Sequence, residues 1–304
     1  MTPRFNGAPR RPGGDVDVSV IGNLTIDVIM RGIDELPPWG HEALSSSRSE
    51  TAAGQGAAMA FASQALGVRT DIVACVGEDD AGARLRRELA GAGVGVASLR
   101  VVADGTTPLT VAVVRGDGER AFISDLGNLG PFDIESEVAR RPAVLDASVV
   151  ALVGTSNLAG VDLAAAARVL AAARRGDALT VFDSGWDPEG FSSTSVTALR
   201  GVLAETDLYL PNLDEARALT GREAITDVLA TLDTWCAGVV IVKAGDVGSY
   251  TRLDGVVTLV EAVSTVVDNA VGAGDVYDAG VVAGYLRGRD VLASMALGLS
   301  LIHI

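Results

Sequence analysis

Val267-Asp268-Asn269-Ala270-Val271-Gly272-Ala273-Gly274-Asp275 follows a strand-like run and opens an apolar helix over 272–286. Gly272-Ala273-Gly274 brings bare backbone N–H groups to the start of that helix. These groups have no intrahelical partner and lie at the positive end of the helix dipole, so they suit phosphate oxygens. Asp275 falls in the first turn, where a carboxylate is electrostatically favoured. It is therefore expected to be ionised at neutral pH and able to take a proton from an attacking hydroxyl. The plain alternative is a glycine turn with an Asp that caps the helix. From these four residues alone the two readings are evenly balanced.

Around this stretch the chain alternates strand and helix. Strands are predicted at 148–153, 179–183, 207–210 and 239–243, with helices at 162–175, near 195–205 and at 214–220. Strand-like pieces follow at 248–253 and 256–260, and a last helix starts at Asp290. Upstream, strands at 16–22, 26–31 and 71–77 alternate with helices at 54–67 and 79–91. Such alternation implies a mostly parallel sheet with helices on both faces, its ligands beyond the carboxyl ends of the strands. Two alternating runs, 108–114 and 119–124, flank Gly116-Asp117-Gly118, a hairpin signal. Residues 32–52 are polar, carry Pro37-Pro38 and read as a lid or loop excursion, outside the core. With residues 26–50 the hairpin could build a small separate sheet.

Composition narrows the function. The 304 residues carry 24 basic and 39 acidic side chains, a net charge of −15, which argues against a binder of nucleic acid or anionic membrane. Cys75 and Cys236 are too few for a disulfide framework, and His41 and His303 leave little room for histidine-based metal chemistry. Structural or surface roles are expected for His41 and the two cysteines. No segment reads as a signal peptide or membrane span, so a cytoplasmic protein is expected. The first fourteen residues, polar and rich in Pro and Gly, read as a disordered arm.

Three more places carry polar groups at strand ends. Asn212 and Glu215 lie three apart at a strand-to-helix junction and could orient Mg²⁺, although the same pair would make a helix capping box. Lys243-Ala244-Gly245-Asp246-Val247-Gly248 ends another strand, and its glycines would let the chain pass close to a nucleotide or simply turn it. Asp27 sits within the apolar run Thr25-Ile26-Asp27-Val28-Ile29, where a carboxylate needs a partner. Substrate hydroxyls or a structural hydrogen bond would serve.

The order Asp27, Gly54-Gln55-Gly56 before an Ala-rich helix, Asn212-x-x-Glu215 and Gly272-Ala273-Gly274-Asp275 resembles the ribokinase-like (PfkB) family of carbohydrate kinases, over roughly residues 16–298. The resemblance implies a three-layer α/β/α fold with a mostly parallel central sheet and a small β-sheet lid. The kinase domain would span 15–304, with lid segments near 26–52 and 107–125. It implies transfer of the γ-phosphate of ATP to a sugar or nucleoside hydroxyl with Mg²⁺. Asp275 would be the general base, and the backbone of Gly272, Ala273 and Gly274 the anion hole. Asn212 and Glu215 would orient Mg²⁺ through water, and Lys243, Gly245 and Gly248 would line the nucleotide. Asp27, Thr25, Gly54 and Gln55 would surround the acceptor. An exposed lid edge could pair between subunits, so a homodimer is allowed without being required.

Several positions depart from the family pattern. Ala53-Gly54 stands for its paired glycines and Ala58 for its Asn, which removes a sugar contact and argues against plain ribose. Thr25 stands where ribose-using members have Asn. Asn269-Ala270 stands for an Asp-Thr that helps hold a monovalent cation, which leaves K⁺ dependence open. Residues 299–304 read as the translation of a transposon mosaic end, so truncation of the C-terminus is expected. Two other functions compete: a catalytically weak relative that binds sugar or nucleotide as a regulator, and a dinucleotide-dependent oxidoreductase. The second ranks last, because Gly22-Asn23-Leu24-Thr25 lacks the glycine fingerprint that fold uses after its first strand.

Overall fold

The computed structural model describes residues 5, 15–188, 190–262 and 272–301. The expected arm lies outside them except for Phe5, which is buried with its ring 5.2 Å from that of Tyr285. Asp268, Asn269, Ala270 and residues 302–304 also lie outside the described residues.

In chain order the first half gives β1 (Val18–Gly22), β2 (Thr25–Arg31), β3 (Ser47–Ala53), α1 (Gln55–Ala65), β4 (Thr70–Gly77), α2 (Asp80–Gly91), β5 (Leu99–Val102), β6 (Leu109–Val114), β7 (Arg120–Asp125) and α3 (Ile134–Arg140). The second half gives β8 (Val149–Val153), α4 (Leu163–Arg175), β9 (Leu179–Asp183), α5 (Ser193–Leu203), β10 (Leu208–Tyr209), α6 (Leu213–Thr220), α7 (Ile225–Leu232), β11 (Val239–Lys243), β12 (Gly248–Leu253), β13 (Val256–Glu261), α8 (Ala273–Leu286) and α9 (Val291–Leu301).

Nine strands form one sheet in the order β13-β12-β11-β10-β9-β8-β1-β4-β5, parallel from β11 to β5 and antiparallel at β12 and β13. β1, β4, β8 and β9 are buried along their whole length, which is why they read as continuous apolar runs. Their residues alternate between two cores. Val149, Ala151 and Val153 face one with Met59 of α1, Leu85 of α2 and Val281 of α8. Val150 and Leu152 face the other with Val138 of α3, Val169 of α4 and Val202 of α5.

A four-stranded sheet, β3-β2-β6-β7, begins two residues beyond β1. The strand β3 decides between lid and loop for residues 32–52: it belongs to the small sheet, pairing with all of β2, from Thr25 opposite Ala53 to Arg31 opposite Ser47. Ser47 through Thr51 are exposed, so this edge strand is held by backbone pairing and has no apolar stripe to announce it. Two polar anchors tie the small sheet to the large one. Asp79, the N-cap of α2, accepts from Thr107 N at 2.7 Å and Thr107 Oγ1 at 2.6 Å, and Arg84 of α2 donates to Glu50 Oε2 of β3 at 2.9 Å.

Candidate active site

The site stands on the carboxyl edge of the large sheet. β8 ends at Val153 before Gly154, β9 ends on Asp183 and β11 ends on Lys243. A backbone bridge between Asn212 and Lys243 brings the start of α6 to the same edge. Helices α1 and α8 start there too, and a Cβ built on Gly272 would lie 3.7 Å from Ala58 Cβ.

Gly272 is the N-cap of α8 with φ 77°, a left-handed conformation that favours glycine, and among the described residues no side chain caps the helix. The first intrahelical bond is Val276 N to Gly272 O at 2.9 Å. The backbone N–H groups of 273–275 therefore lie ahead of the helical bonding and have no intrahelical partner.

Asp275 is in this first turn. Burial pushes its carboxyl up to about 7, with Asp183 adding to the rise, while Lys243 and a hydrogen bond from Gln55 act the other way. The expectation of an Asp275 fully ionised at neutral pH is corrected accordingly: burial outweighs the helix terminus. Gln55 is itself well placed. Its N–H donates to Asn23 Oδ1 at 3.1 Å, and its Oε1 lies against Gly154 and Gly185, both with positive φ. A Cβ on Gly185 would come within 2.5 Å of Gln55 Oε1, so glycine leaves that space to the glutamine.

Behind Asp275 lies a buried charge cluster. Oxygens of Asp183, Asp275 and Asp278 are all within 4.8 Å of one another. The Lys243 ammonium donates to Asp183 Oδ2 at 2.7 Å and to both oxygens of Asp278 at 3.1 Å. Burial opposes the charge on Asp183, yet Lys243 carries its carboxyl below the usual range. Burial and the nearby Asp183 drive Asp278 well upward, and the two carboxylates hold the Lys243 ammonium well above its ordinary value despite burial.

Asn212 and Glu215 form the capping box of α6: Glu215 N donates to Asn212 Oδ1 and Asn212 N to Glu215 Oε2, both at 2.9 Å. Burial, then Asp183, lifts the Glu215 carboxyl to about 7. The cap occupies Asn212 Oδ1 and one Glu215 oxygen. Such a pair fits Mg²⁺ through intervening water better than by direct ligation.

The small sheet supplies Asp27 of β2, 7% exposed, with Oδ1 lacking any partner among the described residues. Burial lifts its carboxyl to about 6. Thr25 Oγ1 donates to Pro108 O at 3.2 Å and so joins β2 to the start of β6. Gly54 caps α1 with φ 91°, and a Cβ there would press within 2.6 Å of Asn23 O. Gly245, φ 59°, turns the chain between β11 and β12, while a Cβ on Gly248 would collide with Val260 O. Cys75 and Cys236 are buried free thiols, both pushed up to about 12 by burial, and His41 is exposed.

Asn23, Asp183, Gly185 and Asp278 were not singled out from the sequence as site residues. Two of them carried a signal. Asp183 closes the apolar strand Leu179-Thr180-Val181-Phe182, and Asp278 lies one helical turn beyond Asp275 on the same face.

The model of the pfkB family of carbohydrate kinases matches residues 16–301. A nucleoside kinase of Methanothermobacter thermautotrophicus is 26% identical over 277 residues, 91% of this chain and 85% of that protein. An ATP-dependent ribose-1-phosphate kinase of Halopiger xanaduensis is 33% identical over 129 residues, 41% of this chain and 43% of that protein. The structure of Arabidopsis thaliana ribokinase complexed with ribose and ATP superposes with a TM-score of 0.78 at 21% identity, covering 95% of this chain and 92% of that one. The chain belongs to the pfkB family of carbohydrate kinases. It has the ribokinase fold, and it is an enzyme of the carbohydrate and nucleoside kinase class. Among the described residues no helix is long and apolar enough to cross a membrane.

Proposed function

We propose that this kinase transfers the γ-phosphate of ATP to a hydroxyl of a sugar or sugar-like acceptor, with Asp275 as the general base. The observation that carries this reading is the carboxylate of Asp275 in the first turn of α8, beside uncapped backbone N–H groups and with its proton affinity raised to about 7. A base with that affinity is half available at neutral pH and strong enough to accept a hydroxyl proton as the bond to phosphorus forms. The acceptor oxygen attacks the γ-phosphorus, its proton passes to an Asp275 Oδ, and ADP leaves. The N–H groups at Gly272, Ala273 and Gly274 hold the charge that spreads over the transferring phosphoryl oxygens.

Mg²⁺, when bound, neutralises phosphate charge, with Asn212 and Glu215 orienting its waters. The turn from Lys243 through Gly245 to Gly248 forms the wall beside the nucleotide. Asp27 receives acceptor hydroxyls at its unpartnered Oδ1, and the small sheet acts as a lid carrying that contact. Thr25, Gly54 and Gln55 shape the same pocket. A nucleoside is the second acceptor class, supported by the nucleoside kinase among the relatives. A site that consumes ATP suits the cytoplasm.

The test is acceptor-dependent ADP release with Mg·ATP across pentoses, hexoses, sugar acids and nucleosides, with Asp275→Asn as control. One acceptor class should release ADP well above the acceptor-free rate, and the control should abolish that excess. Equal release with every acceptor and with none would contradict the reading.

A further inference from the structure

Lys243 is the only lysine in a chain whose other 23 basic residues are arginines, and its ammonium is buried at the catalytic end of the sheet. Its side chain is 13% exposed, and those of Asp183 and Asp278 are 4% and 1% exposed. The ammonium makes one contact of 2.7 Å and two of 3.1 Å with these two carboxylates. A Cβ built on Gly274 would lie 3.4 Å from Lys243 Nζ, so the charge sits directly against the helix start that forms the anion hole. Three aspartates converge within 4.8 Å, close enough for a metal ion to bridge them. Carboxyl groups so near one another, away from water, need a counter-charge for any of them to stay ionised. An ammonium is a compact point charge with three donors, and here those donors reach two carboxyl groups at once.

We infer that Lys243 is the resident cation of the transfer site: a positioning residue that, held by Asp183 and Asp278, occupies the place a metal ion would fill among the three aspartates and leaves Asp275 turned to the acceptor. The inference rests on the reading of Asp275 as the base. It assigns the Lys243 side chain to the protein's own carboxylates, so the nucleotide meets only the backbone of that segment. Asp183 is the ionised partner. Its Oδ1 accepts from Gly185 N at 3.0 Å, a bond that an asparagine Oδ1 would keep.

The experiment compares wild type, Asp275→Asn, Lys243→Met and the charge-balanced double variant Lys243→Met/Asp183→Asn by steady-state kinetics. Lys243→Ala is assayed with and without added methylammonium or propylammonium. Lys243→Met should lower kcat by about 100-fold or more while the KM values for Mg·ATP and acceptor change less than about threefold. The double variant should recover at least about tenfold over Lys243→Met, and the alkylammonium ions should partly restore Lys243→Ala. If Lys243→Met fails to fold, the double variant and the amine-supplemented Lys243→Ala carry the same test. A rise confined to the KM for Mg·ATP, or a double variant no better than the single one together with no amine rescue, overturns the inference. Full turnover by Asp275→Asn would instead remove the base itself. Loss in Asp275→Asn with only a nucleotide KM effect in Lys243→Met would remove the resident cation alone.

Discussion

Asp275 is caught between two opposing effects, and their sizes decide its state. A helix N-terminus favours a carboxylate by about 0.3–1 kcal/mol, up to about 2 in partly buried geometry. The rise from 3.8 to about 7 corresponds to roughly 4 kcal/mol in the opposite direction. Burial therefore wins. The position of the residue was legible in Gly272-Ala273-Gly274-Asp275, but its proton affinity was not, because Asp183 and Gln55 come from distant parts of the chain. If Asp275 is the base, log(kcat/KM) should rise with unit slope up to about pH 7 and then level, in a profile taken with an acceptor that does not titrate. Stability should show the converse. The unfolded carboxylate ionises near 4 and the folded one near 7, so wild type loses stability as pH rises between those values. Asp275→Asn should match wild type in Tm below about pH 4. It should gain on wild type between pH 4 and 7, and keep a constant advantage above, as followed by thermal denaturation across pH.

At the scale of the element, α8 and α9 approach closely because small residues face each other. A Cβ on Gly280 would lie 2.6 Å from Gly298 Cα, and one on Gly284 would lie 2.5 Å from Ser294 Oγ. Gly280→Ala should therefore cost about 1–3 kcal/mol through overpacking, measured as a lower urea midpoint with unchanged m. It should also disturb catalysis, since α8 carries the proposed anion hole and the proposed base. β8 was legible as an unbroken apolar run and β4 as the run Ile72–Val76 behind Asp71, and helices with an Asp N-cap, such as α2 and α4, were legible too. β3 was not, since an exposed Ser-Arg-Ser-Glu-Thr edge shows no period. β5, α3 and α7 were also left unassigned: at 4, 7 and 8 residues they are too short for periodicity to stand out. Asn212 and Glu215 were legible as a pair. The capping box is formed, and its second oxygen set leaves the water-mediated Mg²⁺ role to experiment.

For the whole molecule, a net charge of −15 surrounds a site meant for an anionic nucleotide. Under the proposed function the attraction is local, from the backbone N–H groups of the α8 start and from Mg²⁺ carried with the nucleotide, and the long-range field opposes approach. Association of Mg·ATP, followed by stopped flow, should therefore speed up by a few fold as tetramethylammonium chloride rises from about 20 to about 200 mM and screens that field. A basic, steering surface would give the opposite trend. The two sheets meet at β1–β2 and at the Asp79–Thr107 anchor, so an acceptor held at Asp27, as proposed, would lie between the lid and the carboxyl edge proposed to hold the phosphoryl group.

The central claim is that Asp275 takes the acceptor proton during phosphoryl transfer. The most direct measurement is single-turnover transfer from Mg·ATP at pH 8, with enzyme in excess, for wild type and Asp275→Asn. Nucleotide affinity is measured on the same preparations. The account predicts a loss of about 10² or more in the transfer rate with nearly unchanged nucleotide affinity. Transfer by Asp275→Asn at the wild-type rate would contradict it.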